Sequence, residues 1–239
     1  MQSWTTALYL APGVKNSYAH FDALRQHQNA IILELTMRQI VLTLALACLV
    51  SGAAAQSAPP AAAGGAPSIK VGDSWRWVRS DRRTKLPEAE SKREVTAVTA
   101  GRVEGTENQS RFVMTADLVT IESPDFVRLD DGARFIAFPL EVGKKWSFKY
   151  EQHNKNNAFK ARWQWDAEVV GYEKVKVPAG EFDTYKIVSV GYFNGLAGGN
   201  GSARSTLWYA PAARASVRST LDAGNNSSET ELVEMKLVP

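Results

Sequence analysis

The chain has 239 residues, 44% hydrophobic and 22% charged, enough apolar material for one folded core and an ordinary globular composition. Its formal charge of +3 is too small for the clustered basic face of a nucleic-acid binder, so nucleic acid is not expected as a partner. A single cysteine, Cys48, excludes an intrachain disulfide framework and a cysteine-based metal site.

Residues 1–36 carry scattered charge without a clear period. They read as an upstream extension or a mis-assigned start, with a genuine long leader as the alternative. Met37-Arg38-Gln39 then leads into the apolar run Ile40 to Val50 and the small-residue stretch Ser51 to Ala55. A basic start, a short apolar run and an Ala-x-Ala site predict a signal peptide over 37–55, cut after Ala55. The run is too short to span a bilayer as a permanent helix. Cys48 opens a lipoprotein reading. However, the preceding triplet Ala45-Leu46-Ala47 has its leucine in the wrong place and the apolar run continues past the cysteine. The preferred reading is an exported chain without a lipid anchor, periplasmic or extracellular.

Residues 56–67 are dominated by Ala, Pro and Gly and predict a flexible linker. The folded domain is expected over 68–239. After cleavage at Ala55 the chain keeps no cysteine and one histidine, His153, which removes most nucleophilic and metal chemistry from consideration.

Within the domain, Trp75 and Trp77 share one face of a first strand, with Arg76 on the other. Arg79 to Glu90, which contains Pro87, predicts a loop. Strands follow at Arg93 to Thr99 and at Arg111 to Ile121, where Phe112 and Met114 share a parity. Asp125 to Leu129, the turn Asp130-Asp131-Gly132 and Arg134 to Phe138 predict a hairpin. Trp146, Phe148 and Tyr150 alternate with Lys145, Ser147 and Lys149. His153 to Asn157 is a polar turn. The clearest alternation comes next: Ala161, Trp163, Trp165, Ala167 and Val169 against Lys160, Arg162, Gln164, Asp166 and Glu168, a strand with one buried and one wet face.

Val175 and Val177 run into Pro178-Ala179-Gly180, and a second arm leaves at Phe182. Proline presets φ at the first corner and glycine accepts the left-handed region that closes the turn, so a hairpin is expected. In its second arm Tyr185, Ile187, Val188 and Val190 mix parity, which predicts a bulge or a strand covered on both sides. Asn194 to Ser202 is a glycine-rich loop. Further strands are expected at Thr206 to Tyr209, at Arg214 to Leu221, and, after a turn at Asn225 to Ser228, at the end of the chain. This many short strands without a helix predict an all-β protein: one antiparallel meander forming a curled sheet or open barrel, with a sandwich as the alternative.

Three blocks carry a resemblance. They are Pro139-Leu140-x-Val142-Gly143-Lys144-x-Trp146, Val175-x-Val177-Pro178-Ala179-Gly180-x-Phe182-x-Thr184-x-Lys186, and Trp208-Tyr209-Ala210-Pro211. Together they resemble a family of secreted bacterial β proteins, a domain-of-unknown-function group that includes TapB-like proteins. The blocks run from Pro139 to about Val217. Ala212-Ala213-Arg214-Ala215 departs from the family pattern, standing where relatives have a glycine-containing turn. The resemblance implies an extracytoplasmic curled antiparallel sheet and brings no catalytic residue with it.

Local motifs favour unreactive readings. The glycines from Gly195 to Gly201 lack the Gly-Lys-Ser/Thr and helix of a phosphate loop. Asp130-Asp131 lacks the calcium-loop spacing and reads as a turn. His153 has no partner motif for a metal or a hydrolase triad. No pair of carboxylates is singled out for glycosidase chemistry.

The unusual feature is the set of strand tryptophans Trp75, Trp77, Trp146, Trp163, Trp165 and Trp208. They are either core or the wall of an apolar groove for a lipid, acyl chain or peptide. The expectation is a non-enzymatic protein without cofactor or metal, binding an apolar ligand or lipid on these residues. The alternative is an envelope structural or interaction module, and a carboxylate-dependent hydrolase is a third, weaker reading.

Overall fold

A computed structural model describes Gly64–Pro239 apart from Asn225. The upstream extension, the signal peptide, Cys48 and most of the linker lie outside the described residues. Twelve strands are present: β1 (Ser74–Asp81), β2 (Pro87–Thr99), β3 (Arg102–Glu107), β4 (Ser110–Thr115), β5 (Thr120–Glu122), β6 (Phe126–Arg128), β7 (Lys145–Asn154), β8 (Lys160–Val177), β9 (Gly180–Gly195), β10 (Asn200–Ala210), β11 (Ala215–Ala223) and β12 (Asn226–Lys236). One 3₁₀ turn, Pro211–Ala213, interrupts them. Each strand pairs antiparallel with its sequence neighbours, and β1 also pairs with β12, so the meander closes into a barrel. The expected single antiparallel meander is thus present, and closure satisfies the edges that an open sheet would leave unpaired.

The β8–β9 hairpin is the longest pairing. Val177 lies opposite Gly180, Pro178 and Ala179 form the two-residue connection, and Gly180 takes a φ of +139° that other residues avoid. The mixed parity of β9 has a physical cause. A register shift between Val169 and Gly171 on β8 leaves Val170 as an extra residue. The hairpin consequently gives Val169, Tyr172, Tyr185 and Ile187 to one apolar cluster and Val175, Val177 and Phe182 to another.

Several boundaries differ from the sequence expectation, among them the strand expected over Arg111 to Ile121, which is divided between β4 and β5. Pro87 opens β2 instead of lying in a loop, which a proline tolerates as the first residue of a strand. Asn194 and Asn200–Ser202 belong to β9 and β10, so the glycine loop shortens to a tip. β12 begins at Asn226, so the turn expected at Asn225 to Ser228 is nearly all strand. Arg134 to Phe138 is not a strand. Its backbone bonds are local, from Arg134 N–H to Gly132 O and Phe135 N–H to Ala133 O, and its consecutive apolar residues Phe135, Ile136 and Phe138 pack into the core instead of alternating.

The first cluster joins Trp75, Val95, Phe112, Val217 and Leu232 across β1, β2, β4, β11 and β12. The second joins Phe148, Tyr150, Trp165, Tyr185, Ile187 and Tyr209 with Leu140 and Ile136 of the β6–β7 connection. Near the chain end, the fully buried Asp73 carboxylate ties three segments together. It accepts from Arg214 Nη1 at 2.8 Å, from Val238 N–H at 2.8 Å and from Lys70 N–H at 2.9 Å. Arg214 has a φ of +51° at the corner where the resemblance led one to expect glycine, and its contact with Asp73 opposes that backbone cost.

Candidate ligand-binding site

The six tryptophans do not form one face. Trp75, Trp77 and Trp208 belong to the first cluster, and Trp75 and Trp77 stack with ring centroids 6.3 Å apart. Trp146, Trp163 and Trp165 belong to the second.

The partner of each indole N–H separates them further. Trp75 donates to Ala213 O at 2.8 Å and Trp77 to Ser216 O at 2.9 Å. Trp208 donates to Glu173 Oε1 at 2.7 Å, and its ring lies between the Lys186 ammonium and the Arg218 guanidinium, each 5.3 Å from the centroid. Trp146 donates to Arg134 O at 2.7 Å, which pins the β6–β7 connection over the barrel. Trp163 and Trp165 are different: both indole N–H groups are buried without a partner. Each such donor costs about 1–3 kcal/mol relative to a satisfied one.

Strand period places the surrounding rings. Phe148 and Tyr150 alternate inward on β7, opposite Trp165 and Trp163 on β8. The stack runs Phe148–Trp165 at 6.3 Å, Trp165–Trp163 at 5.5 Å and Trp163–Tyr150 at 6.3 Å. Phe193 of β9 tilts onto Trp163 at 4.9 Å. Phe135, from the irregular connection, meets Phe148 at 4.9 Å and Trp165 at 5.2 Å edge-on. The rings around Trp163 and Trp165 therefore pack on one another rather than line an open channel. An open pocket of about 380 Å³ is lined by residues that include Arg102, Val113, Met114, Ile121, Asp130 and Asp131 and by none of the tryptophans.

Arg128, at the end of β6, enters this aromatic cluster. Its guanidinium carbon is 4.4 Å from the Phe126 centroid and 4.8 Å from that of Tyr150, and Nη1 donates to Thr120 O at 2.7 Å. Its Nε is buried and unpartnered, and no carboxylate of the described residues lies within ion-pair distance. Burial pushes its ionisation downward, opposed by the Tyr150 hydroxyl beside it. Burial pushes the Tyr150 hydroxyl up, and Arg128 and the Trp165 N–H, both close to its oxygen, oppose that rise. The sequence expectation did not include Arg128. Its signal was a lone cation among Phe126, Val127 and Leu129.

Other candidates are accounted for by ordinary structure. Asp130 Oδ1 accepts from Gly132 N–H at 2.8 Å, as in a turn. His153 Nε2 sits 2.7 Å from Glu151 Oε1 at the end of β7. Among the described residues no cluster of three or more His, Asp or Glu side chains is placed to hold a metal, and no helix is long and apolar enough to cross a membrane.

Comparison with solved structures finds exported proteins and lipoproteins. An exported protein with YmcC-like fold from Bacteroides fragilis aligns with a TM-score of 0.51 at 14% identity, over 72% of this chain and 99% of that one. A protein described as a lipoprotein from Parabacteroides distasonis aligns at 0.48 and 16% identity, over 72% and 99% of the two chains. The hypothetical lipoprotein YmcC from Escherichia coli aligns at 0.44 and 13% identity, over 70% and 85%. The Bacteroides fragilis alignment shows that the two chains share a fold, described for that protein as YmcC-like. No family model matches the chain, and no curated protein does.

Proposed function

We propose that this chain is an exported bacterial β-barrel protein without enzymatic activity, which holds an apolar ligand or lipid against the aromatic half of its barrel. The observation that carries the reading is the pair of buried, unpartnered indole N–H groups of Trp163 and Trp165. Four tryptophans spend their N–H on the fold; these two retain it inside an apolar cluster, where a ligand acceptor would satisfy it. Of the six residues first singled out, Trp163 and Trp165 form the site, supported by Trp146. Trp75, Trp77 and Trp208 hold the other cluster.

Several features support the wider reading. The signal-peptide pattern at 37–55, with a linker at 56–67 before a domain over 68–239, is the arrangement an exported chain needs, and the Bacteroides fragilis protein that shares the fold is described as exported. The Val175–Lys186 block, on which the resemblance to TapB-like proteins rests, forms the turn end of the long hairpin. Against a hydrolase, the carboxylates that shift, Asp81, Glu122, Glu151, Glu173 and Asp222, are all held below their ordinary range, whereas acid catalysis needs one raised.

The alternative reading, an envelope interaction module, is favoured by the ring-on-ring packing of the aromatic cluster and by the outward-facing Val190 and Tyr192, about half exposed on β9. Native mass spectrometry of the purified protein before and after organic extraction separates the two. A lipid-sized adduct that extraction removes supports the ligand reading. A mass at the sequence value, with no adduct on adding back an extracted envelope lipid fraction, overturns it.

A further inference from the structure

The outer face of the barrel departs from the usual polar pattern along β9. Side chains that point outward from an antiparallel strand with one buried face are normally polar. On β9 they are Val188, Val190 and Tyr192, and Val190 and Tyr192 are half exposed. Two residues beyond Glu168, the cross-strand neighbour of Val188, the bulged Val170 is exposed as well.

The two strands that flank this stripe differ in charge. Register sets Asp166 of β8 and Arg204 of β10 on either side of Val190, Glu168 and Thr206 on either side of Val188, and Gln164 and Ser202 on either side of Tyr192. Residues directly opposite on adjacent strands share a face. Asp166 and Arg204 are both exposed. Asp166 accepts from Ser147 Oγ at 2.6 Å through Oδ1 alone. Arg204 lies opposite Asp222 of β11, but that carboxylate is held by Arg82 Nη1 at 2.7 Å and by Ser227 Oγ at 2.5 Å.

A twofold axis sets a residue on the axis against its own copy, and a residue on one side against the residue on the other side. With the axis along β9, Val188, Val190 and Tyr192 meet themselves, which apolar groups tolerate and charges do not. Asp166 then meets the partner's Arg204 at the same height, Glu168 meets the partner's Thr206 and Gln164 meets the partner's Ser202. An axis across the strands would instead set Asp166 on Asp166 and Arg204 on Arg204. We infer that this face pairs two copies of the chain, β9 against β9, with an Asp166–Arg204 ion pair on each side of an apolar seam. Three strands over the length of the stripe cover on the order of 14 by 30 Å. That is short of the roughly 800 Å² per partner of a stable complex, so the pair is weak and concentration-dependent. The inference does not rest on the ligand-binding reading, and it supplies the partner that the interaction alternative leaves open.

Sedimentation equilibrium of the purified protein from about 10 μM to about 1 mM tests it. The weight-average mass should climb from one chain toward two across that range. V190E, which sets like charges on the axis, should leave a single chain throughout. D166R and R204D each set like charges together and should weaken pairing at least about tenfold. The double variant D166R/R204D restores both ion pairs in reversed order and should return to within about threefold of the unsubstituted protein. All four variants change exposed side chains only, and far-ultraviolet circular dichroism checks each fold.

A single chain at every concentration overturns the pairing. If that same protein binds phosphatidylglycerol vesicles and V190E does not, the face belongs to a membrane instead. A pair that survives in V190E lies on another surface and equally overturns the inference. A double variant no better than its two parents overturns the axis along β9.

Discussion

Removing the Asp73 carboxylate should loosen the barrel where β1, the 3₁₀ turn and the chain end meet. Asp73 is fully buried, and its two oxygens accept from Lys70 N–H, Val238 N–H and Arg214 Nη1. D73A leaves the guanidinium and two backbone N–H groups without that acceptor. Breaking a buried pair by deleting one partner costs about 3–5 kcal/mol. Arg214 retains 20% of its side-chain surface, so water can reach it and the lower part of that range, about 3 kcal/mol, is the better figure. With an m-value of about 2–3 kcal/mol/M in urea, the midpoint of equilibrium unfolding falls by about 1–1.5 M with m unchanged. R214G should cost about as much as D73A, because it strands a fully buried carboxylate on two backbone N–H groups, while glycine accepts the φ of +51° without the penalty that arginine bears there. The double variant should cost less than the sum of the two, since it removes a pair and not two independent groups. A midpoint shift below about 0.3 M for D73A, or additive single effects, would refute the assignment of Asp73 as the buried tie.

The Cβ of G191A would lie 2.5 Å from Gln164 O and 2.5 Å from Trp165 Cδ2, so the variant loses about 1–3 kcal/mol in urea unfolding and changes the near-ultraviolet circular dichroism of the ring stack. Glu122 is held below its ordinary 4.5 by Lys155, Glu151 by His153 and Arg162, and Asp222 below its ordinary 3.8 by Ser227 and Arg82. Because the unfolded chain takes up protons first, stability should hold from neutral pH down to the ordinary carboxylate range and decline as pH falls through the lower folded values, read from the urea midpoint at each pH. Burial raises the hydroxyls of Tyr150, Tyr172, Tyr185 and Tyr209 above their ordinary 10.0, so phenolate absorbance of the native protein should lag that of the urea-unfolded chain as pH rises, and stability should fall above that value.

Much of the fold is legible in the sequence because strand alternation is a local signal. Ala161 to Val169 shows it plainly, and Pro178-Ala179-Gly180 fixes a turn by backbone preference alone. Closure of the barrel is not local: the pairing of β1 with β12 runs from Ser74 opposite Lys236 to Asp81 opposite Ser228, residues from opposite ends of the domain in a register that no short pattern carries. The stretch from Ala133 to Leu140 is opaque for another reason. Phe135, Ile136 and Phe138 are apolar whether they build a strand or pack as an irregular segment, and only the rings of Phe148, Trp165 and Tyr209 beneath them distinguish the two. The tryptophans are visible as a group, but which N–H finds a carbonyl depends on turns distant in sequence, such as Ala213 for Trp75. Arg128 is hidden by the same logic, since a single charge near a strand end is most often solvated.

The division of the indole N–H groups bears on which reading of the protein the physics favours. A barrel needing aromatic bulk alone could use phenylalanine, which brings no donor to satisfy. In the half held by Trp75, Trp77 and Trp208 the donors are satisfied by Ala213, Ser216 and Glu173, so tryptophan there ties strands together as well as filling space. At Trp163 and Trp165 that benefit is missing and the donor penalty remains, beside an arginine whose Nε is also unpartnered. With the Tyr209 hydroxyl, four buried polar groups of this half lack a partner, a stability cost of the kind that proteins concentrate at binding sites. If the cluster were purely structural, W163F, W165F and R128M would each stabilise the protein without consequence, raising the unfolding midpoint. If it is a site, W163F and W165F stabilise the ligand-free protein but reduce the further stabilisation that an added envelope lipid fraction gives to the unsubstituted protein.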